Sequence, residues 1–197
     1  MKSLMQLALG PDWDKPPPAL QAHYRAAPCR DGGHLDIDYP RPMQLYLSLL
    51  HRLGALVHRR GRQVATTVDK TMVGDRQYWR RTLTYPDGRT LHFNSVWEWA
   101  GGNHIIEFVN PVLGLQMAVR VEDQRLHYRG VRFVAQLGPW RLTIPEWLVL
   151  GHTRIEEQAV DDHHFVMDFR LIHPWFGQLF RYAGRFASDM ENQGTQA

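Results

Sequence analysis

Residues 77–99, QYWRRTLTYPDGRTLHFNSVWEW, alternate on two short runs around a turn. Read with period two, Gln77, Trp79, Arg81, Leu83 and Tyr85 share one face. Tyr78, Arg80, Thr82 and Thr84 share the other. Pro-Asp-Gly at 86–88 predicts a hairpin, and the returning strand gathers Leu91, Phe93, Ser95, Trp97 and Trp99. The apolar faces are the ones a fold buries, so Arg81 and Ser95 are predicted to point inward. Glu107 falls in phase with Ile105 and Val109, so a third strand also sends one polar residue inside.

The same alternation, divided by turns, runs from Val64 to about residue 187. Turn signals recur at 73–76, 100–103, 110–114, 122–124, 137–140, 160–164 and 173–177. This spacing predicts a mainly β, α+β fold. Its frame is a curved antiparallel barrel or half-barrel of about eight to ten strands, lipocalin-like in style. A helical turn is expected within 144–151. Upstream the period changes. Short helices are predicted around SLMQLALG and PPPALQAHYR, with a strand over GHLDIDY. An amphipathic helix is predicted over 43–57. Its stripe is read as Leu45, Leu49, Leu53 and Leu56, widened by Tyr46 and Leu50. The organisation expected is one domain over 1–187, with a helical portion 1–60, a β-meander 61–187 and a disordered tail 188–197.

Composition narrows the function classes. The 197 residues are 44% hydrophobic and 22% charged, as in an ordinary globular domain able to bury a core without staples. A single cysteine, Cys29, in a polar loop after a proline, fits a reducing, cytoplasmic setting. The first residues make a poor signal peptide, and no run is apolar for the roughly 20 residues of a membrane span. A net charge of +3 with no basic stripe and no nucleic-acid motif argues against nucleic-acid binding. The one basic cluster, HRRGR at 58–62, reads as a solvated loop after the helix.

Several stretches taken in order resemble a known family. They are LGPDW with LQAHYR, then WRRTL, FNS, HIIEF, RLTIP and FVMDF, and last HPWFGQLFRYAGRF. Together they are similar to the bacterial domain-of-unknown-function 4166 family over nearly the whole chain. The family's Trp-x-Arg strand falls on Trp79 and Arg81, with Leu83 in place of the usual aromatic. Its Phe-x-Ser falls on Phe93 and Ser95, its strand glutamate on Glu107, and an early histidine on His23. Its closing motif falls on Pro174, Gly177, Tyr182 and Gly184. The glycine that usually follows the glutamate strand is displaced here to 110–114. Members are found alone or fused behind short-chain or saccharopine-type reductase domains, so the resemblance implies a possible reductase partner.

The inward polar residues set the candidate chemistry. A buried guanidinium needs a partner, a wet cavity or a ligand. Arg81, Ser95 and Glu107 either form a structural pair with its hydroxyl, or anchor a small hydrophobic or amphipathic ligand with an acidic head. Trp79, Phe93, Trp97, Trp99 and Tyr182, with Tyr85 and Phe165, would line that pocket. An alternative is a cyclase or isomerase in which Glu107 acts as acid or base, with His23 as a candidate partner or merely a helix-surface or capping residue. A third reading is an accessory domain docked on a reductase or a membrane surface through the helix and HRRGR. No Cys/His spacing suits a metal, no G-x-S-x-G elbow surrounds Ser95, and no glycine fingerprint implies a dinucleotide cofactor. No cofactor is expected.

Overall fold

Strand alternation, once it has an inside, closes into a ring. The computed structural model describes residues 2–188 except 53 and 55. After helices α1 (Leu4–Leu9) and α2 (Pro18–His23) come strand β1 (Cys29–Asp38) and helix α3 (Met43–Arg52). Then follow β2 (Gly61–Val73), β3 (Arg76–Thr84), β4 (Thr90–Trp99), β5 (His104–Phe108), β6 (Leu113–Glu122) and β7 (Arg125–Leu137). The chain continues through β8 (Trp140–Pro145), a 3-10 turn at Glu146–Leu148, β9 (His152–Ala159), β10 (His164–His173) and β11 (Gly177–Ala187).

Antiparallel pairing runs β6-β5-β4-β3-β2-β1-β11-β10-β9-β7, and β6 pairs back onto β7. Ten strands therefore make a closed barrel, and closure removes the open edges of a half-barrel. Strand β8 pairs only with the far half of β7 and lies outside the ring. Strand β1 belongs to the barrel, between β2 and β11, so the expected division into a helical portion 1–60 and a β portion 61–187 is too sharp. Cys29 is the buried first residue of β1 and not part of a loop. Register shifts at Leu35/Ile37 and Gln116/Met117 mark bulges that help bend the wall.

Gly184, one of the residues behind the family resemblance, has a direct reason. It opposes Leu35 across β1 and β11, and a Cβ there would collide with the His34 carbonyl. The strands cross too closely for any larger residue.

Helices cover the two ends. Around α1, Ser3 and Gln6 form a capping box, and the helix packs on β4, β5 and β6. Helix α2 packs on β9 and β10. At the other end, α3 lays Leu47 and Leu50 into the core, with Met43 and Tyr46 partly buried beside them. The expected stripe is thus rotated: Leu45 and Leu49 face solvent, while Leu53 lies outside the described residues. The helix ends at Arg52, earlier than the expected 57. Ser188 is buried and donates to the His163 carbonyl (3.0 Å), so the expected tail cannot begin there. Residues 189–197 lie outside the described residues. Among the described residues no helix is long and apolar enough to cross a membrane.

Candidate functional site

The inward faces leave a cavity with about 60 Å³ of free space along the barrel axis. Trp79, Phe93, Trp97, Phe165 and Tyr182 form much of its wall, with Leu35, Ile37, Val57 and Ile155. Trp79 and Trp97 stack with ring centroids 4.5 Å apart. Their indole nitrogens are buried and have no hydrogen-bond partner among the described residues. Buried donors left unmet are rare.

Period two places Arg81, Ser95 and Glu107 on neighbouring strands, and they meet. Arg81 donates to Ser95 Oγ (2.8 Å) and to Glu107 Oε1 (3.0 Å), and the serine hydroxyl donates to the same carboxylate oxygen (2.6 Å). Arg81 also lies over the rings of Trp79 (4.9 Å) and Phe93 (5.1 Å). Arg81 and Glu107 line the cavity, while Ser95 is tucked beneath them, buried and bonded to both. The guanidinium therefore meets a matched carboxylate inside the protein. Arg81→Met is expected to cost about 2–3 kcal/mol in chemical denaturation, below the cost of a fully buried pair because both side chains keep some exposure. Adding Glu107→Leu should recover much of that loss; a double variant no more stable than the single would refute the pairing.

Trp99 does not join the wall. It ends β4, is 45% exposed, and donates its indole N–H to the Gly102 carbonyl (2.9 Å). Its phase is inward, but the strand has run past the core. Tyr85 is buried near the α3 end and donates to the Arg59 carbonyl, away from the cavity.

A second polar group sits at the α1/α2 end of the same cavity. The last turn of α2 sends His23 and Tyr24 into the barrel, so His23 is a buried residue of the interior and not a helix-surface one. Asp31 Oδ2 lies 2.5 Å from His23 Nδ1 and accepts from the Lys70 ammonium, which also donates to the His23 carbonyl and lies 2.8 Å from the same Nδ1. Lys70 is 1% exposed and Asp31 fully buried. Across the barrel, Glu157 of β9 accepts from the Tyr24 hydroxyl at 2.8 Å on both oxygens. Tyr128 of β7 donates to the Tyr24 oxygen (2.5 Å). The other ring nitrogen, Nε2, faces Glu157 Oε1, 4.0 Å away.

Burial decides the protonation of this group. It lowers His23 to about 4, helped by the nearby Lys70, so the imidazole is neutral. It raises Glu157 to about 7, against the hydrogen bonds of Tyr24 and Tyr128. It also keeps both phenols protonated. Burial pushes Asp31 up too, but Lys70 and His23 overcome it and hold the carboxyl well below its ordinary range. The interior thus carries two matched ion pairs, Lys70–Asp31 and Arg81–Glu107, and one carboxyl that titrates near neutrality.

Lys70, Asp31, Glu157, Tyr24 and Tyr128 were not singled out from the sequence. Lys70 follows Val64, Thr66 and Val68 in phase, and Glu157 follows Thr153 and Ile155, so the signal was present. Among the described residues no group of three His, Cys, Asp or Glu is placed to hold a metal ion.

A closed ten-stranded barrel around a small aromatic cavity, with ionisable groups at both its middle and its end, defines the class. A family model described as Domain of unknown function (DUF4166) matches residues 17–186, and the chain belongs to that family. No curated protein matches the chain.

Proposed function

We propose that the barrel interior takes up a small amphipathic molecule and that Glu157 exchanges a proton with it, as in an isomerase. The carrying observation is Glu157 itself: a carboxyl 2% exposed on the cavity wall, held by the Tyr24 hydroxyl and faced by a neutral imidazole. A carboxyl raised toward neutral pH can both take and return a proton without a large energetic gap. The indole N–H groups of Trp79 and Trp97 are closed off and have no partner among the described residues, so a carbonyl or enolate oxygen could take them up only once the wall parts. The acid–base role expected of Glu107 passes to Glu157, because Glu107 is occupied by Arg81 and Ser95.

The polar feature of the ligand follows from the same charges. A carboxylate head would have to compete with Glu107 for Arg81, whereas a carbonyl meets those indole donors once the wall parts. Apolar surface would lie along Phe93, Phe165 and Tyr182. The free space of about 60 Å³ is less than half of the roughly 150 Å³ that holds benzene. A ligand of that size therefore requires the cavity wall to move apart.

The test is deuterium exchange at carbon next to the carbonyl in a panel of small cyclic ketones and enones, followed by NMR in heavy water. Glu157 takes the carbon-bound proton, the electron pair moves into the enolate, and a deuteron is returned. Exchange is expected to fall about a hundredfold in Glu157→Gln. Ligands that quench tryptophan fluorescence but never exchange would leave a binding barrel without turnover. No quenching and no exchange would remove the reading.

A further inference from the structure

We propose that the α3 end of the barrel is a docking face for an anionic lipid bilayer. Three segments meet there. The Tyr46 hydroxyl of α3 donates to the Val149 carbonyl (2.9 Å), next to the 3-10 turn, and Trp147 of that turn meets Trp175 edge to face at 6.2 Å. Trp175 belongs to the connection between β10 and β11. Each segment turns large apolar side chains out to solvent: Leu45 (85% exposed) and Leu49 from α3, and Trp147 and Leu148 from the turn. Trp175 (75%) and Phe176 (73%) complete the face. The core does not need them, since α3 plugs the barrel with Leu47 and Leu50. Exposed aromatics and leucines grouped at one end of a barrel mark an interaction site and suit the headgroup–acyl boundary.

Charge selects the occupant. Residues 40–60 contain Arg41, Arg52, Arg59 and Arg60 and no Asp or Glu. Residues 173–178 contain no acidic residue either, and Glu146, the first residue of the turn, is buried and accepts from the Thr153 N–H. Arg59 and Arg60 reach Asp87 and Asp38 on neighbouring segments, while Arg41 and Arg52 stand exposed at the two ends of α3. An apolar face rimmed by arginines and free of exposed acids in these segments complements anionic headgroups. A second copy of the chain fits it poorly, because a two-fold contact would set arginines against arginines. This inference is independent of the proton-transfer reading.

Flotation of the full chain with phosphatidylcholine vesicles, with and without phosphatidylserine, tests it. The chain is expected to float with the anionic vesicles only, and to be released by high salt. Trp175→Ala with Phe176→Ala, and separately Arg41→Gln with Arg52→Gln, should each weaken association roughly tenfold or more. Both pairs lie on the exposed surface, so thermal unfolding should stay near that of the parent. Absence of flotation, equal flotation with neutral vesicles, or flotation unmoved by either pair overturns the proposal. A dimer in sedimentation that the Trp175/Phe176 pair dissolves would give the face to a second copy and overturn it as well.

Discussion

Lys70→Met will lower the free energy of unfolding by about 3–5 kcal/mol, the cost of leaving one charge of a buried pair without its partner. Lys70 and Asp31 are both essentially inaccessible, and their contact lies between β1 and β2 beneath the ring of Trp79. Methionine fills most of the lysine's volume, so little of the loss will come from a cavity. It will come from Asp31, which keeps the His23 bond but loses the cation that holds it ionised. Lys70→Met with Asp31→Asn should therefore regain much of the loss, since an amide can still bond His23. Urea denaturation of the parent, the single and the double variant measures this. Equal losses in the single and double variants would show that Lys70 stabilises by packing, not by charge.

The reach of sequence reasoning here follows from contrast between faces. Between Gln77 and Trp99 one face is aromatic and the other polar, so the phase is unmistakable and Arg81 and Ser95 could be aligned across strands, with Glu107 following on the next. They meet as the alternation requires. In β2 the opposite face carries Ala65, Thr67 and Asp69 and the inward face includes Thr66 and Lys70, so the contrast is weak. A lysine in such a strand reads as surface. In β9 both faces are polar, with Arg154 and Glu156 outside and Thr153 and Glu157 inside. Asp31 stands beside Gly32 and Gly33, which mask the strand that carries it.

Helix α3 was legible in the sequence, but its buried face was not, for a different reason. Its sequence offers two overlapping apolar arcs, one through Leu45 and Leu49 and one through Met43, Tyr46, Leu47 and Leu50. Periodicity cannot choose between them; the barrel mouth does, by accepting the second. His23 was open for the same reason, because a helix of six residues has too few turns to define a face. Its place inside depends on the chain beyond the helix entering the barrel, a tertiary fact.

Two variants at the end of the cavity should show opposite pH slopes. Folded Glu157 titrates near 7 and the unfolded residue near 4.5, so between these values the native chain holds a proton that the unfolded chain has released. Stability from this group falls as pH rises through that window, by on the order of 3 kcal/mol. His23 does the reverse. It titrates near 4 when folded and near 6.5 when unfolded, so stability rises with pH between those values by a similar amount. From pH 4.5 to 6.5 the two slopes oppose each other, and the parent protein should show little net dependence from this pair. Glu157→Gln removes the falling slope, so the variant should gain stability from pH 4 to 6.5. His23→Gln removes the rising slope, so that variant should lose stability from pH 4.5 to 7. Asp31 and Lys70 remain in both, and below pH 4 protonation of Asp31 adds a further loss in all three chains. Unfolding free energies from urea melts at half-unit pH steps decide the matter. Variants whose profiles run parallel to the parent would mean that neither group is held in the protonation state its burial demands.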